Sequence, residues 1–211
     1  MSDYPIEQIR SQFPGLTRRV NGNQAIFFDG PGGSQSPESV GEAVKHYLLY
    51  QNSNVGMSFA TSIETDELIE HTMIACADFL GCTDHREIIF GQNMTSLTIQ
   101  LASALSRTWR PEDEVVVTRS DHDANVRPWV LAAQWSGAKL RWIDIDPADC
   151  THNIDSIEEN INENTVMVAI GAASNFSGTI NDVKGICSKA HSFGAEVFVD
   201  AVHYAPHALI D

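Results

Sequence analysis

The sequence predicts an α/β fold, a three-layer sandwich with a mainly parallel sheet and an added N-terminal segment. Two observations carry this prediction. Five short apolar or β-branched runs recur along the chain: EIIF (87–90), EVVVT (114–118), KLRWIDI (139–145), TVMVAI (165–170) and EVFVD (196–200). Their apolar residues are continuous rather than alternating, as in parallel strands buried on both faces. Helical patterns separate the runs, and a strand–helix–strand order implies right-handed crossovers. The expected division is an N-terminal segment over 1–60 and a larger domain over 61–211.

Taken in order, AIFFDG (25–30) is a candidate short strand, and GPGGSQSP after it is a loop. Ser36 followed by Pro37 has the form of an N-cap and first helical position, opening a helix that runs to about Tyr50. NSNVGMSF is a second loop. Thr61-Ser62-Ile63-Glu64 fits a capping box for a helix through Leu80. The crossover helices are then TSLTIQLASALSRTW, ANVRPWVLAAQW, NIDSIEENI and NDVKGICSKAHSF. No internal repeat, low-complexity tract or Pro-rich linker interrupts the pattern.

Composition narrows the function classes. At 211 residues with 43% hydrophobic and 19% charged residues, the chain has the makeup of a folded soluble protein. A net charge of −15 disfavours a nucleic-acid backbone or an anionic membrane as partner. An anionic cofactor would need local donors. The N-terminus lacks the basic-then-apolar order of a secretion signal. Cys76, Cys82, Cys150 and Cys187 form no Cys-x-x-Cys pair, which fits reduced thiols in a cytoplasmic protein.

Ligands in open α/β sheets sit beyond the carboxyl ends of the strands, so the residues there are the site candidates. After EIIF, Gly91-Gln92-Asn93-Met94-Thr95-Ser96 opens a helix whose free N–H groups, with the Thr95 and Ser96 hydroxyls, can hold a phosphate. Simple N-capping by Asn93 or Thr95 explains the same residues. After EVVVT, His122 can stack on a flat ring or act as acid or base; the alternative is a surface loop capped by Asp121 or Asp123. After TVMVAI, Asn175 can donate to a ligand oxygen or make an Asx-turn before Gly178. Asp200 ends an apolar strand and needs a partner: a protonated pyridine nitrogen, a helix N-terminus or a salt bridge. Together these form the inventory that a pyridoxal 5'-phosphate (PLP) site requires.

With FFDGPGGSQSP, NSNVGMSFATS, EIIFGQNMTS, DHDANVRPW, SNFSGT and VDAVHYAPH in this order, the chain resembles the cysteine desulfurase-like, SUF-type subgroup of the class V aminotransferases, PLP enzymes of fold type I. The resemblance runs from about Phe13 to Asp211. It implies that Thr95, with the Met94 backbone, binds phosphate, and that His122 stacks on the PLP ring as the catalytic histidine. Asn175 and His203 would lie near the cofactor's phenolic oxygen, and Asp200 would face the pyridinium. Three positions depart from the family pattern. Met94 stands where the family often carries Thr, His203 where desulfurases carry Gln, and Gly56-Met57 where SUF-type enzymes carry His-Arg. The implied activity is that of a lyase or transferase acting on an amino acid, as a homodimer whose sites lie near the interface and the N-terminal segment.

PLP enzymes hold the cofactor on a Schiff-base lysine. The lysines here are Lys45, Lys139, Lys184 and Lys189, and none follows Asp200. The resemblance puts that lysine, the nucleophilic cysteine and a carboxylate-binding arginine in a following half. The expectation is therefore an N-terminal half whose large domain is incomplete at its C-terminal side. A C-terminal half or second polypeptide would bring the lysine; the chain can otherwise be a non-catalytic subunit or remnant of the same fold. Cys76 falls in a helix, Cys82 in the turn after it, Cys187 mid-helix and Cys150 in an acidic loop with no basic neighbour, so none is a convincing nucleophile. A different class remains open: a metal-dependent hydrolase using His122, Asp200 and His203, with His207 sharing a helical face with His203.

Overall fold

The computed structural model describes residues 4–210, which divide into two compact units, Met1–Ile88 and Ile89–Asp211.

The first unit is helical with one small hairpin. Helix α1 (Ile6–Arg10) precedes a 3-10 turn at Pro14–Thr17. Strands β1 (Arg19–Val20) and β2 (Asn23–Gln24) pair antiparallel. The two residues joining them, Asn21 and Gly22, have φ of 51° and 81°, as a type I′ turn requires. The candidate strand at 25–30 is not formed, because the pairing lies upstream in this hairpin and no strand flanks 25–29.

Helix α2 (Glu38–His46) continues through a π-helical turn at Tyr47–Gln51, so the expected helix is present. Its N-cap is Pro37 rather than Ser36, without a side-chain cap bond. Helix α3 (Ala60–Leu80) ends at Gly81 in the left-handed region, φ 70°. The capping box at its start does not form. Ser62 Oγ instead accepts from Met57 N at 2.9 Å, and Glu64 Oε2 accepts from Gln51 Nε2 at 3.2 Å. The preceding loop supplies donors for these side chains, and Asp66 takes Gly56 N at 3.1 Å. A one-turn 3-10 helix at His85–Glu87 follows.

The second unit carries the sheet. Strands β3 (Glu114–Thr118), β4 (Lys139–Ile143), β5 (Thr165–Gly171) and β6 (Glu196–Asp200) lie parallel in the order β4-β3-β5-β6. The run at 87–90 does not become a strand. Ile89 is 78% and Phe90 51% exposed, and β propensity without a neighbouring ladder leaves the backbone unpaired.

Successive side chains of buried strands point to opposite faces, and two cores result. Val115 and Val117 of β3 and Met167 and Ala169 of β5 pack against helices α4 (Met94–Leu105) and α5 (Arg127–Ser136) through Ala102, Trp129, Ala132 and Ala133. Val116, Val168 and Ile170 face the other way, onto Ile186 and Ala190 of α7 (Val183–Ser192) and onto Ile161, just after α6 (Ile154–Asn160). All five residues of β3 are buried. Each buried valine contributes roughly 1.5–3 kcal/mol of transfer free energy, which sets the register of this central strand.

At the amino ends of the strands, Glu114 is 2% exposed and accepts from Arg141 Nε at 3.0 Å, Arg141 Nη2 at 2.8 Å and Asn162 Nδ2 at 2.9 Å. The Arg141 guanidinium holds its carboxyl below the usual range. This pair clamps β3 to β4 at the rim opposite the site.

Candidate functional site

The carboxyl ends of β3, β5 and β6 and the amino end of α4 supply the candidate residues. Helix α4 is capped by Asn93, whose Oδ1 accepts from Ser96 N at 2.9 Å; Leu97 N donates to the Asn93 carbonyl at 3.1 Å. The cap leaves the N–H groups of Met94 and Thr95 without partners among the described residues. Thr95 itself is exposed. First-turn N–H groups at a helix amino end attract anions.

His122 follows β3 in the loop leading to α5, exposed. Its Nδ1 accepts from Ala124 N at 3.1 Å, so the neutral imidazole carries its proton on Nε2. The ring borders two clefts. One, of about 180 Å³, it shares with Thr95, Ile99 and Arg127. The other, of about 370 Å³, it shares with Asn175, Asp121 and Cys150. His122 thus stands between the α4 amino end and the loop after β5. That loop is an ST-turn built on Ser174, whose Oγ accepts from Phe176 N and Ser177 N at 3.3 Å. The Asx-turn expected of Asn175 is replaced by this serine, and the Asn175 amide makes no hydrogen bond among the described residues.

Asp200 ends β6, half-buried, and pairs with Gly171 in the β5–β6 register. Its Oδ1 accepts from Val202 N at 2.9 Å; Oδ2 takes no partner among the described residues. His203 lies three positions on, in a series of turns tied by Tyr204 N to Ala201 O (3.0 Å) and His207 N to Tyr204 O (3.0 Å). Since 201–208 is turns and not helix, His203 and His207 do not share a helical face. Among the described residues no group of three or more His, Cys, Asp or Glu can hold a metal ion, and the hydrolase reading has no centre to build on.

The carboxyl beside His122 is strongly perturbed, more than a loop cap explains. Asp121 Oδ1 accepts from Gly171 N at 2.7 Å and Oδ2 from Asn125 Nδ2 at 3.3 Å. Burial pushes its carboxyl up to about 7, and the Asp200 charge adds to the rise. Asn125, fully buried, accepts from Trp129 Nε1 at 3.1 Å, and Trp129 packs on Phe198 of β6 at 5.2 Å between ring centroids. On the other side of the loop, Ser120 Oγ lies 2.8 Å from His152 Nε2. Burial lowers the basicity of this histidine, and its Nδ1 has no partner among the described residues. An Asn four residues before a Trp at a strand-to-helix junction is the one sequence signal for this network; His152 gave none.

The four cysteines are half-buried and unpaired. Burial pushes the Cys187 thiol up, away from the reactive thiolate. Lys45 and Lys189 pair with Glu42 and Glu158.

Residues 26–211 match the family model described as Aminotransferase class-V. The chain is 36% identical to a probable cysteine desulfurase of Halalkalibacterium halodurans, with 97% of this chain and 50% of that protein covered. It is 33% identical to the aminotransferase-like protein FGM3 of Gibberella zeae, with 100% and 52% covered. The solved apo structure of the cysteine desulfurase from Thermococcus onnurineus matches with a TM-score of 0.86 at 28% identity, over 97% of this chain and 49% of that one. The chain spans about half the length of the curated relatives it matches.

Proposed function

The chain belongs to the class V aminotransferase family, whose members, like the cysteine desulfurases, depend on PLP, and on that premise we propose that it forms the cofactor-binding half of a cysteine desulfurase-like enzyme acting on an amino acid. The residues present fit the cofactor. The unpartnered N–H groups of Met94 and Thr95, with the Thr95 hydroxyl, suit a phosphate. One Asp200 oxygen is fixed on Val202 N while the other is open to a pyridinium N–H. That open carboxylate oxygen, on the strand next to the β5 end where Asp121 fastens the His122 loop, is the observation that carries the proposal.

When bound, PLP supplies an electron sink beside the substrate nitrogen. Asp200 would hold a proton on the ring nitrogen. His122 would lie against the ring, and because its Nδ1 is tied to Ala124, Nε2 is the atom left to give or take a proton. Asn175 and His203 would donate to the phenolic oxygen. The lysine, the sulfur-accepting thiol and the arginine that grips the substrate carboxylate come from a second half or polypeptide. The working unit is a homodimer, and unpaired cysteines suit the reducing cytoplasm.

Titrating the purified chain with PLP tests this reading. One PLP should bind per chain, and Asp200→Ala or Thr95→Ala should each weaken binding about tenfold or more. With the second polypeptide added, borohydride reduction should leave the adduct on that polypeptide. Absence of saturable PLP uptake, or adducts spread over Lys45, Lys139, Lys184 and Lys189, overturns it.

A further inference from the structure

We propose that Asp121 is a positioning residue for the cofactor ring: its carboxyl fastens the loop bearing His122 to the end of β5 at Gly171, one ladder partner from Asp200. The inference rests on the PLP reading above and adds to it a residue that need not touch the cofactor.

The geometry is a short chain of bonds. Gly171 N donates to Asp121 Oδ1 at 2.7 Å, and Gly171 is the partner of Asp200 across the β5–β6 ladder. The other Asp121 oxygen accepts from Asn125, which the buried Trp129 indole fixes, and Asn125 N donates back to the His122 carbonyl at 2.8 Å. His122, its peptide neighbour, is thereby held from both sides, and the frame ends on the strand that carries Asp200. Burial, with the Asp200 carboxylate adding to it, pushes the Asp121 carboxyl up to about 7, while its hydrogen bonds to Gly171 and Asn125 hold it in place.

Gly171 shows how little room the arrangement has. A Cβ there would lie 2.5 Å from Asp121 Oδ1, with no other atom closer than 3.5 Å. Gly171→Ala therefore displaces the Asp121 carboxyl and little else. It serves as a second variant should Asp121→Ala fail to fold.

The test measures three quantities on the full chain: PLP affinity, the circular dichroism induced in the bound PLP band, and affinity for inorganic phosphate. Asp121→Ala and Gly171→Ala should weaken PLP binding about tenfold, as loss of a supporting contact does. Both should abolish most of the induced dichroism and leave phosphate affinity within about twofold, since the α4 amino end is untouched. Asp121→Asn keeps an acceptor for Gly171 N and should restore most of the dichroism. Wild-type dichroism in both Asp121→Ala and Gly171→Ala overturns the inference while leaving the PLP reading standing. Equal loss of phosphate and PLP affinity also overturns it, because the effect is then general loosening. If the wild-type chain binds phosphate but no PLP, the functional reading fails and the inference falls with it.

Discussion

A carboxyl that titrates near neutrality leaves a mark on stability as well as on the site. Asp121 is pushed up to about 7 in the folded chain, against about 3.9 for an unfolded aspartate. Between those values the folded chain keeps a proton that the unfolded chain has lost. Stability contributed by that proton is full below about pH 4 and disappears as pH rises through about 7. Urea unfolding should therefore show the chain weaker at about pH 8 than at about pH 5, by on the order of 2 kcal/mol. Asp121→Asn should remove most of that difference. Glu114 acts with the opposite sign. Its depressed carboxyl stabilises above the unfolded carboxylate range, and that contribution vanishes as pH falls below it. At this scale the sequence showed that Thr95, His122, Asn175 and Asp200 follow strand ends. It did not show Asp121 as more than a cap, because its role depends on Gly171, fifty residues away in the chain.

The strands that the sequence located best are those with a parallel partner to pair with. EVVVT and EVFVD became β3 and β6 with the same bounds, and TVMVAI became β5 with one residue added. EIIF has the same local chemistry but no ladder partner, and local chemistry alone cannot supply one. Asn21-Gly22 carries a hairpin-turn signal, and the more apolar AIFF beside it forms no strand. The capping box at Thr61 failed for a different reason. The helix starts at Ala60, one residue before Thr61, so Thr61 lies inside it, and Glu64 accepts from Gln51 instead, a competitor that only tertiary structure reveals. The β3–β4 clamp gives an element-level prediction. Arg141→Ala leaves the buried Glu114 carboxylate with Asn162 alone and should cost about 2–3 kcal/mol in urea unfolding. Because the clamp sits at the rim away from His122 and Asp200, PLP affinity should stay within about twofold of wild type.

Both units expose large apolar side chains. Ile63, Leu68, Ile74 and Phe79 of α3 are each more than 40% exposed, and Phe28, Phe176 and Leu209 are above 90%. Exposed apolar surface on this scale marks a face that another chain or segment covers. Under the proposed function, the polypeptide supplying the lysine is the partner to test. The isolated chain should bind a hydrophobic dye strongly and self-associate despite its charge of −15. Co-expression with that polypeptide should suppress both, as read by dye fluorescence and sedimentation. Among the described residues no helix is long and apolar enough to cross a membrane. The strand order β4-β3-β5-β6 has a temporal consequence. β6 is the last of these strands to leave the ribosome, and it brings Asp200 to a frame whose other members were synthesised earlier. A nascent chain halted before Glu196 would lack the Asp200 carboxylate that the proposed site assigns to the ring nitrogen. On that proposal, coenzyme uptake would begin only once β6 docks beside β5.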